Sequence, residues 1–200
     1  MTKKIGIFAG TFDPIHDGHI AFAQAALDAG LEKVMFLPEP RPRRKQGVRA
    51  LEHRRAMVRL AIAHEGRYGI IALEQARFTV HETLPKLQAR FAGYQLVLLF
   101  GADVISHIAS WPHVGAMVNV AELMIAARLR DMSDLTATLH TLEKTRNLRF
   151  RYEIIHPAYE EVTSSTIRLL LKRDKAADGL PPAVQRYIKR HKLYSTTTAD

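Results

Sequence analysis

The sequence predicts an α/β fold, a Rossmann-like, doubly wound parallel sheet in a single domain. Three observations support this prediction. Short apolar runs alternate with helical patterns along most of the 200 residues. The runs are almost continuously apolar, which is typical of strands buried on both faces. Strand–helix alternation of this kind builds right-handed βαβ units, and 200 residues are one domain's worth.

The elements follow from these patterns in chain order. The predicted strands are Ile5–Ala9, Lys33–Leu37, Gly69–Leu73, Gln95–Gly101, Glu122–Ala127 and Phe150–Ile155. The predicted helices are His19–Ala29, Leu51–His64, Thr83–Phe91, a pair around Val104–Val118, Leu135–Lys144, Ser165–Lys172 and Pro182–His191. Gly30 is expected to cap the first helix at its carboxyl end. We expect residues 1–194 to form one domain and residues 195–200 to be a polar, disordered tail.

Composition restricts the class of protein. Apolar residues make up 47% and the net charge is +9, which points to an anionic partner such as a nucleotide or a nucleic acid. No apolar stretch approaches the ~18 residues of a membrane-spanning helix, so no membrane partner is expected. The absence of cysteine excludes disulfides, thiolate metal sites and a cysteine nucleophile. With no signal peptide in the sequence, the expected location is the cytoplasm.

The loop after the first strand carries the most informative motif, Gly-Thr-Phe-Asp-Pro-Ile-His-Asp-Gly-His over residues 10–19. A strand–loop–helix start is an anion site, because free N–H groups and the helix dipole converge there. Gly10 and Gly18 let the backbone turn and approach a phosphate closely. His16 and His19 share one face of the first helical turn and can donate hydrogen bonds to a phosphate. The alternatives are a metal-binding pair, for which no third ligand follows at a recognised spacing, or incidental turn residues.

This motif resembles the signature of the HxGH nucleotidyltransferase superfamily, which transfers a nucleotidyl group from a nucleoside triphosphate to a phosphate or similar acceptor. The resemblance implies a Rossmann-like sheet of the nucleotidyltransferase type. It implies that His16 and His19 are catalytic and contact the α and β phosphates, and that Gly10, Thr11, Phe12 and Gly18 bind ATP. Class I aminoacyl-tRNA synthetases share the His-x-Gly-His element, but this chain lacks their Lys-Met-Ser-Lys-Ser segment.

A second phosphate loop is expected at residues 162–168, Val-Thr-Ser-Ser-Thr-Ile-Arg, where the last strand leads into a helix. Hydroxyl groups at a helix start cap its free N–H groups, so a plain N-cap with a surface arginine is one interpretation. The segment is also similar to the superfamily's Ile-Ser-Ser-Thr-x-Ile-Arg motif. By that resemblance Ser164, Ser165 and Arg168 bind the β and γ phosphates of ATP.

An arginine-rich stretch, residues 41–55, lies between the second strand and the helix that starts at Leu51. It is either a solvated basic loop, a nucleic-acid patch or a mobile flap that closes on phosphates. Its Pro42-Arg43-Arg44-Lys45 resembles the Pro-Pro-His-Lys of the family, with Arg44 in place of the histidine. Lys45 then matches the lysine that reaches the phosphates. Arg54, near the helix start, is expected to face the mouth of the site and to bind the acceptor.

The candidate residues in the second half of the predicted site come from several short segments and do not form one continuous motif. Gly101 and Asp103 at the end of the fourth strand could bind a ribose, or Asp103 could be an N-cap. Trp111 could stack on a flat ring of a ligand, or it could belong to the core. The arrangement resembles the nicotinate-nucleotide adenylyltransferases, as do Glu82-Thr83-Leu84 and the segment up to Tyr194, so that the resemblance covers residues 3–194. It implies ATP binding by Gly101 and Asp103 and acceptor binding by Arg54, Thr83, Trp111 and Arg128. The chain departs from the family at Ala9, Thr79-Val80 and Arg128-Leu129-Arg130.

The resemblance implies an enzyme that joins ATP and nicotinate mononucleotide to give deamido-NAD and pyrophosphate in NAD biosynthesis. Mg²⁺ is expected to arrive with ATP, because it is commonly held by phosphates and water. The oligomeric state stays open, with a homodimer as one alternative since homodimers are common among relatives, and nucleic acid is not the expected partner. Two alternatives stay open: an adenylyltransferase for nicotinamide mononucleotide or phosphopantetheine, and a non-catalytic basic protein that binds nucleic acid.

Overall fold

The computed structural model describes residues 2–42, 45–108, 110–127, 132–158 and 162–195. The predicted alternation of strands and helices is confirmed. The strands are β1 (Lys4–Gly10), β2 (Lys33–Pro38), β3 (Tyr68–Ile70), β4 (Gln95–Gly101), β5 (Ala121–Ala126) and β6 (Tyr152–Ile155). The helices are α1 (Asp17–Asp28), α2 (Leu51–Ile62), α3 (Thr83–Arg90), α4 (Ala102–Ile108), α5 (Val114–Val120), α6 (Met132–Arg146), α7 (Ser164–Lys172) and α8 (Pro182–Arg190).

All six strands form one parallel sheet in the order β3-β2-β1-β4-β5-β6. The chain runs outward from β1 to β3, then returns to place β4 on the other side of β1. This reversal of strand order is a topological switch point, and in such sheets ligands bind beyond the carboxyl ends of the strands that flank it. The prediction of a doubly wound parallel sheet is therefore confirmed, and the site is expected beyond β1 and β4.

Successive residues of the central strands point into two apolar clusters on opposite faces of the sheet. Ile7 of β1 and Leu98 of β4 join the cluster covered by α3, α4, α5 and α6. Phe8 and Leu99 join the cluster covered by α1, α2, α7 and α8. Because helices cover both faces, these strands have no solvent-facing side, which explains their continuous apolar runs.

Most element boundaries differ from the prediction by one to three residues, those of β3 and α1 among them. The strand predicted at Gly69–Leu73 is only Tyr68–Ile70, because it is an edge strand that pairs with β2 alone, although the Ile71 N–H still donates to the Phe36 carbonyl at 2.8 Å. Helix α1 begins at Asp17, two residues before the predicted start, so that His16 is its N-cap. Gly30 follows this helix with φ of +99°, as the sequence predicted.

No helix in the described ranges is long and apolar enough to cross a membrane.

Candidate active site

The first loop, residues 11–16, leaves β1 at Gly10 and is shaped by a buried phenylalanine. Phe12 has φ of +50° and is 1% exposed, packed against Phe8 and Phe36 at ring-centroid distances of 5.3 and 5.6 Å. A Cβ at Gly10 would lie 2.8 Å from the Phe12 ring. Gly10 therefore makes room for Phe12, whose side chain belongs to the core. Only the backbone of Phe12 remains for the ATP contact that the sequence predicted.

The two histidines stand together where the first loop enters α1. Their ring centroids are 3.7 Å apart, and the His16 backbone N–H donates to His19 Nδ1 at 3.2 Å. Since Nδ1 of His19 accepts, its proton is on Nε2. His16 Nδ1 is buried with no hydrogen-bond partner among the described residues. In the predicted pair, His19 Nε2 thus carries a proton that it can donate, and His16 Nδ1 has a hydrogen-bonding capacity that no described residue uses.

Burial keeps both imidazoles neutral. It lowers the pKa of His16 to about 4. Burial, followed by the charges of His16 and Lys45, lowers the pKa of His19 well below 6.5. Lys45 is exposed, and its positive charge is the smallest of the three causes that lower the pKa of His19. Such a pair becomes easier to protonate when an anion arrives beside it.

The second loop lies against the first. The Ser164 hydroxyl donates to the Pro14 carbonyl at 3.0 Å, and Arg168 Nη1 donates to the Asp13 carbonyl at 2.7 Å. Thr163 is the N-cap of α7, and its hydroxyl oxygen accepts the Thr166 N–H. The cap therefore precedes Ser164 and Ser165, the two serines predicted to bind phosphate. Both predicted phosphate loops therefore meet at one edge of the sheet.

Arg54 does not face the mouth of the site. Its side chain is 1% exposed and donates at 2.8 to 3.0 Å to four backbone carbonyls, those of Thr11, Glu39, Pro40 and Arg49. The predicted orientation of Arg54 is wrong, because the guanidinium is buried and already bound to carbonyl oxygens. Arg54 instead ties both ends of segment 39–49, which carries Lys45, to the first loop.

Thr83 also has a structural role in place of the predicted acceptor contact. It is 1% exposed, and its hydroxyl oxygen accepts the Thr79 N–H at 3.0 Å. Its own N–H donates to the Thr79 carbonyl at 3.0 Å. The side chain thus closes the turn that precedes α3. The sequence pattern does not indicate which way the Thr83 side chain points. Arg43, Arg44 and Arg128 lie outside the described residues.

The predicted ATP residues Gly101 and Asp103 and the predicted acceptor residue Trp111 lie near the carboxyl end of β4. Asp103 lies in the first turn of α4, and its Oδ1 would be 2.7 Å from a Cβ at Gly101, so this glycine provides space for the carboxylate. Trp111 packs edge-on against Phe100 at 5.5 Å and is only partly buried. It borders a cavity of about 90 Å³ whose other lining residues are Phe78, Thr79, Val80, His81 and Pro112.

Two features of this region were missed by the sequence analysis. Asp13 is 2% exposed, and its carboxylate accepts from the Tyr194 hydroxyl. The rings of His81 and His113 lie 5.1 Å apart, with His81 on the small cavity. Asp13 stands inside the signature motif, so the motif was the only signal available for it. In both features the two partners come from distant segments of the chain, and a linear pattern does not show such contacts.

A larger cavity of about 450 Å³ lies at the opposite edge of the sheet, near the amino ends of β1 and β5. Lys4 and Arg151 on its wall both pair with Glu122, with N–O distances of 2.7 and 3.7 Å. Neither predicted phosphate loop reaches this edge. The histidines and hydroxyl groups therefore define the candidate site, rather than the size of the cavity.

The described residues hold no group of three or more His, Cys, Asp or Glu side chains that could bind a metal ion. The fold, the two phosphate loops at the switch point and the histidine pair together define a nucleotidyltransferase. A family model described as cytidylyltransferase-like matches residues 7–170.

Two similar proteins indicate which nucleotidyltransferase family the chain belongs to. A probable nicotinate-nucleotide adenylyltransferase of Neisseria gonorrhoeae is 35% identical over 199 residues, covering 96% of this chain and 98% of the relative. One of Solibacter usitatus is 32% identical, covering 96% and 100%. The chain belongs to the nicotinate-nucleotide adenylyltransferase family.

A solved structure supports the fold. The nicotinic acid mononucleotide adenylyltransferase of Plasmodium falciparum, complexed with NaAD, superposes with a TM-score of 0.76 at 19% identity, covering 96% of this chain and 97% of that one.

Proposed function

We propose that this protein transfers the adenylyl group of ATP to nicotinate mononucleotide, giving deamido-NAD and pyrophosphate. The observation that carries the proposal is the meeting of the His16–His19 pair with the second loop at the switch point of the sheet. The full-length similarity to relatives of that name supports the choice of reaction.

In the proposed reaction a 5′-phosphate oxygen of the acceptor attacks the α-phosphorus of ATP. A new P–O bond forms while the bond from the α-phosphorus to the bridging oxygen breaks, and pyrophosphate leaves with that electron pair. No covalent enzyme intermediate is needed, so catalysis consists of positioning and charge stabilisation. His16 and His19 contact the triphosphate near its α and β phosphates, and negative charge there favours their protonation.

The other predicted site residues form groups, according to the part of the substrate that each one contacts. Lys45, Ser164, Ser165 and Arg168 hold the phosphates of the leaving group. The backbone at Gly10, Thr11, Phe12 and Gly18 approaches the nucleotide, and Gly101 with Asp103 receives its ribose. Trp111 stacks on the pyridine ring at the small cavity, which His81 also lines. Mg²⁺ enters with ATP, held by phosphates and water, and offsets charge on the triphosphate. We also propose that the enzyme acts in the cytoplasm.

The test is pyrophosphate release from ATP and Mg²⁺ with three acceptors in parallel: nicotinate mononucleotide, nicotinamide mononucleotide and phosphopantetheine. The proposal expects turnover with the first and a much lower kcat/KM with the other two. Preference for either of the others would overturn the choice of acceptor. No turnover with any acceptor, together with a steep salt dependence of RNA or DNA binding, would favour the non-catalytic alternative.

A further inference from the structure

Tyr194 lies in the turn that follows α8, 181 residues away from the first loop along the chain. It is 2% exposed and has φ of +65°, so the backbone is held in a left-handed conformation that directs the ring inward. Its hydroxyl donates to Asp13 Oδ1. The phenol is thus buried beside the loop that carries the two histidines, yet the reaction derived above does not use it.

The Asp13 carboxylate links three parts of the chain. Besides Tyr194, it accepts the Arg49 backbone N–H on Oδ2 at 3.4 Å, and the Arg49 guanidinium lies over the Tyr194 ring at 5.2 Å. A carboxylate this deeply buried needs hydrogen-bond donors, because the charge has lost its water. Burial and the adjacent Asp13 charge raise the pKa of Tyr194, so the phenol remains a donor at all physiological pH values.

The rest of the first loop is held by the same C-terminal region. The Arg168 side chain donates to the Asp13 carbonyl and the Ser164 hydroxyl to the Pro14 carbonyl. The Asp17 N–H, at the start of α1, donates to the Gly179 carbonyl at 2.8 Å. Of these contacts only Tyr194 reaches the loop through a side chain that has no place in the proposed binding of ATP.

We infer that Tyr194 is a positioning residue for the adenylyl transfer: its hydroxyl fixes the Asp13 carboxylate and thereby holds the first loop, with His16 and His19, in register with the second loop. The inference rests on the proposed function for its kinetic test only. Positioning of a catalytic group affects kcat strongly, since a displacement of about 1 Å costs on the order of 10²-fold.

The test is Tyr194→Phe, which keeps the ring and removes only the hydroxyl. The matched control is Tyr187→Phe on α8, whose hydroxyl meets His53 Nδ1 at 2.9 Å and not the first loop. We expect kcat of Tyr194→Phe to fall by about 10- to 100-fold with KM for ATP changed less than about threefold. Tyr187→Phe is expected to keep wild-type kcat. Thermal unfolding of both variants shows that each is folded at the assay temperature.

A second measurement does not depend on the reaction. NMR titration of the imidazoles is expected to show the pKa of His16 moving from about 4 toward 6.5 in Tyr194→Phe, because a loosened loop admits water, and staying in place in Tyr187→Phe. If Tyr194→Phe does not fold, Asp13→Asn weakens the same bond from the other side and is expected to give both changes. Wild-type kcat and wild-type titration in a folded Tyr194→Phe or Asp13→Asn would overturn the inference. If the wild-type enzyme does not use nicotinate mononucleotide, the proposed function fails, while the titration still decides this inference.

Discussion

His16 and His19 are buried enough to be neutral and close enough to share one anion. Both lose water on folding, and each would raise the cost of protonating the other. In the proposed reaction, a triphosphate reverses this balance by placing negative charge beside the two rings. The pair is therefore suited to bind charge that arrives with substrate and grows on the leaving group.

Removing one ring is expected to affect turnover far more than folding. We expect His19→Ala to lower kcat by about 10²- to 10³-fold, because a positioned electrostatic donor is lost. Steady-state pyrophosphate release measures this, with circular dichroism to check the fold. His64→Ala is the matched control, since His64 is exposed just beyond α2. A folded His19→Ala with wild-type kcat would contradict the assigned role.

The histidines also predict how stability depends on pH. The pKa of His16 is about 4 in the folded protein and near 6.5 in the unfolded chain, and that of His19 is shifted in the same direction. Between these values the unfolded chain binds more protons, so stability falls as pH falls from about 6.5 to 4. For His16 the loss is at most about 3 kcal/mol. Urea unfolding at several pH values measures it, and His16→Asn is expected to flatten the curve; an equally steep loss in that variant would refute the explanation.

At the scale of elements, Arg54 connects α2 to the two segments that precede it. One guanidinium satisfies carbonyls on either side of the Lys45 segment and one in the first loop. Loss of several such bonds leaves buried carbonyl groups without donors.

We expect Arg54→Met to lower the free energy of unfolding by about 3 to 5 kcal/mol, since buried polar groups lose their partner. The comparison is Arg59→Met, five residues further along the same helix at an exposed position, which is expected to stay within about 0.5 kcal/mol of wild type. Urea denaturation measures both. Equal stability of the two variants would show that the carbonyl contacts contribute little.

Arg54 also shows where sequence reasoning stops. The strands, the sheet type and the histidine pair could be predicted, because each depends on local spacing or on an apolar run. Arg54 stands next to an apolar stripe, a position from which a long side chain can turn to either side. Its partners are carbonyls of the first loop and of both ends of segment 39–49, and backbone positions leave no mark in the residue types. The same reason hides Thr83 and Asp13.

At the scale of the whole molecule, two apolar clusters share the strands of one sheet. Helix α8 contributes Val184 and Ile188 to one cluster, while Trp111 packs on the other. Because the strands contribute side chains to both sides, the clusters should lose their structure together.

We expect Ile188→Ala to lower the free energy of unfolding by about 2 to 5 kcal/mol, the usual cost of such a cavity. Trp111 is the single tryptophan, so its fluorescence reports the far side of the sheet. The fluorescence midpoint in urea is expected to move together with that of far-ultraviolet circular dichroism. Separate midpoints would show that the two faces unfold independently.

The bond between Tyr194 and Asp13 has a consequence for biosynthesis. A nascent chain acquires Asp13 of the first loop 181 residues before it acquires the Tyr194 phenol. While the intervening residues are being synthesised, the Asp13 carboxylate has no Tyr194 hydroxyl to accept from. The bond can therefore form only after the turn that follows α8 has left the ribosome, well after the first loop itself has been made.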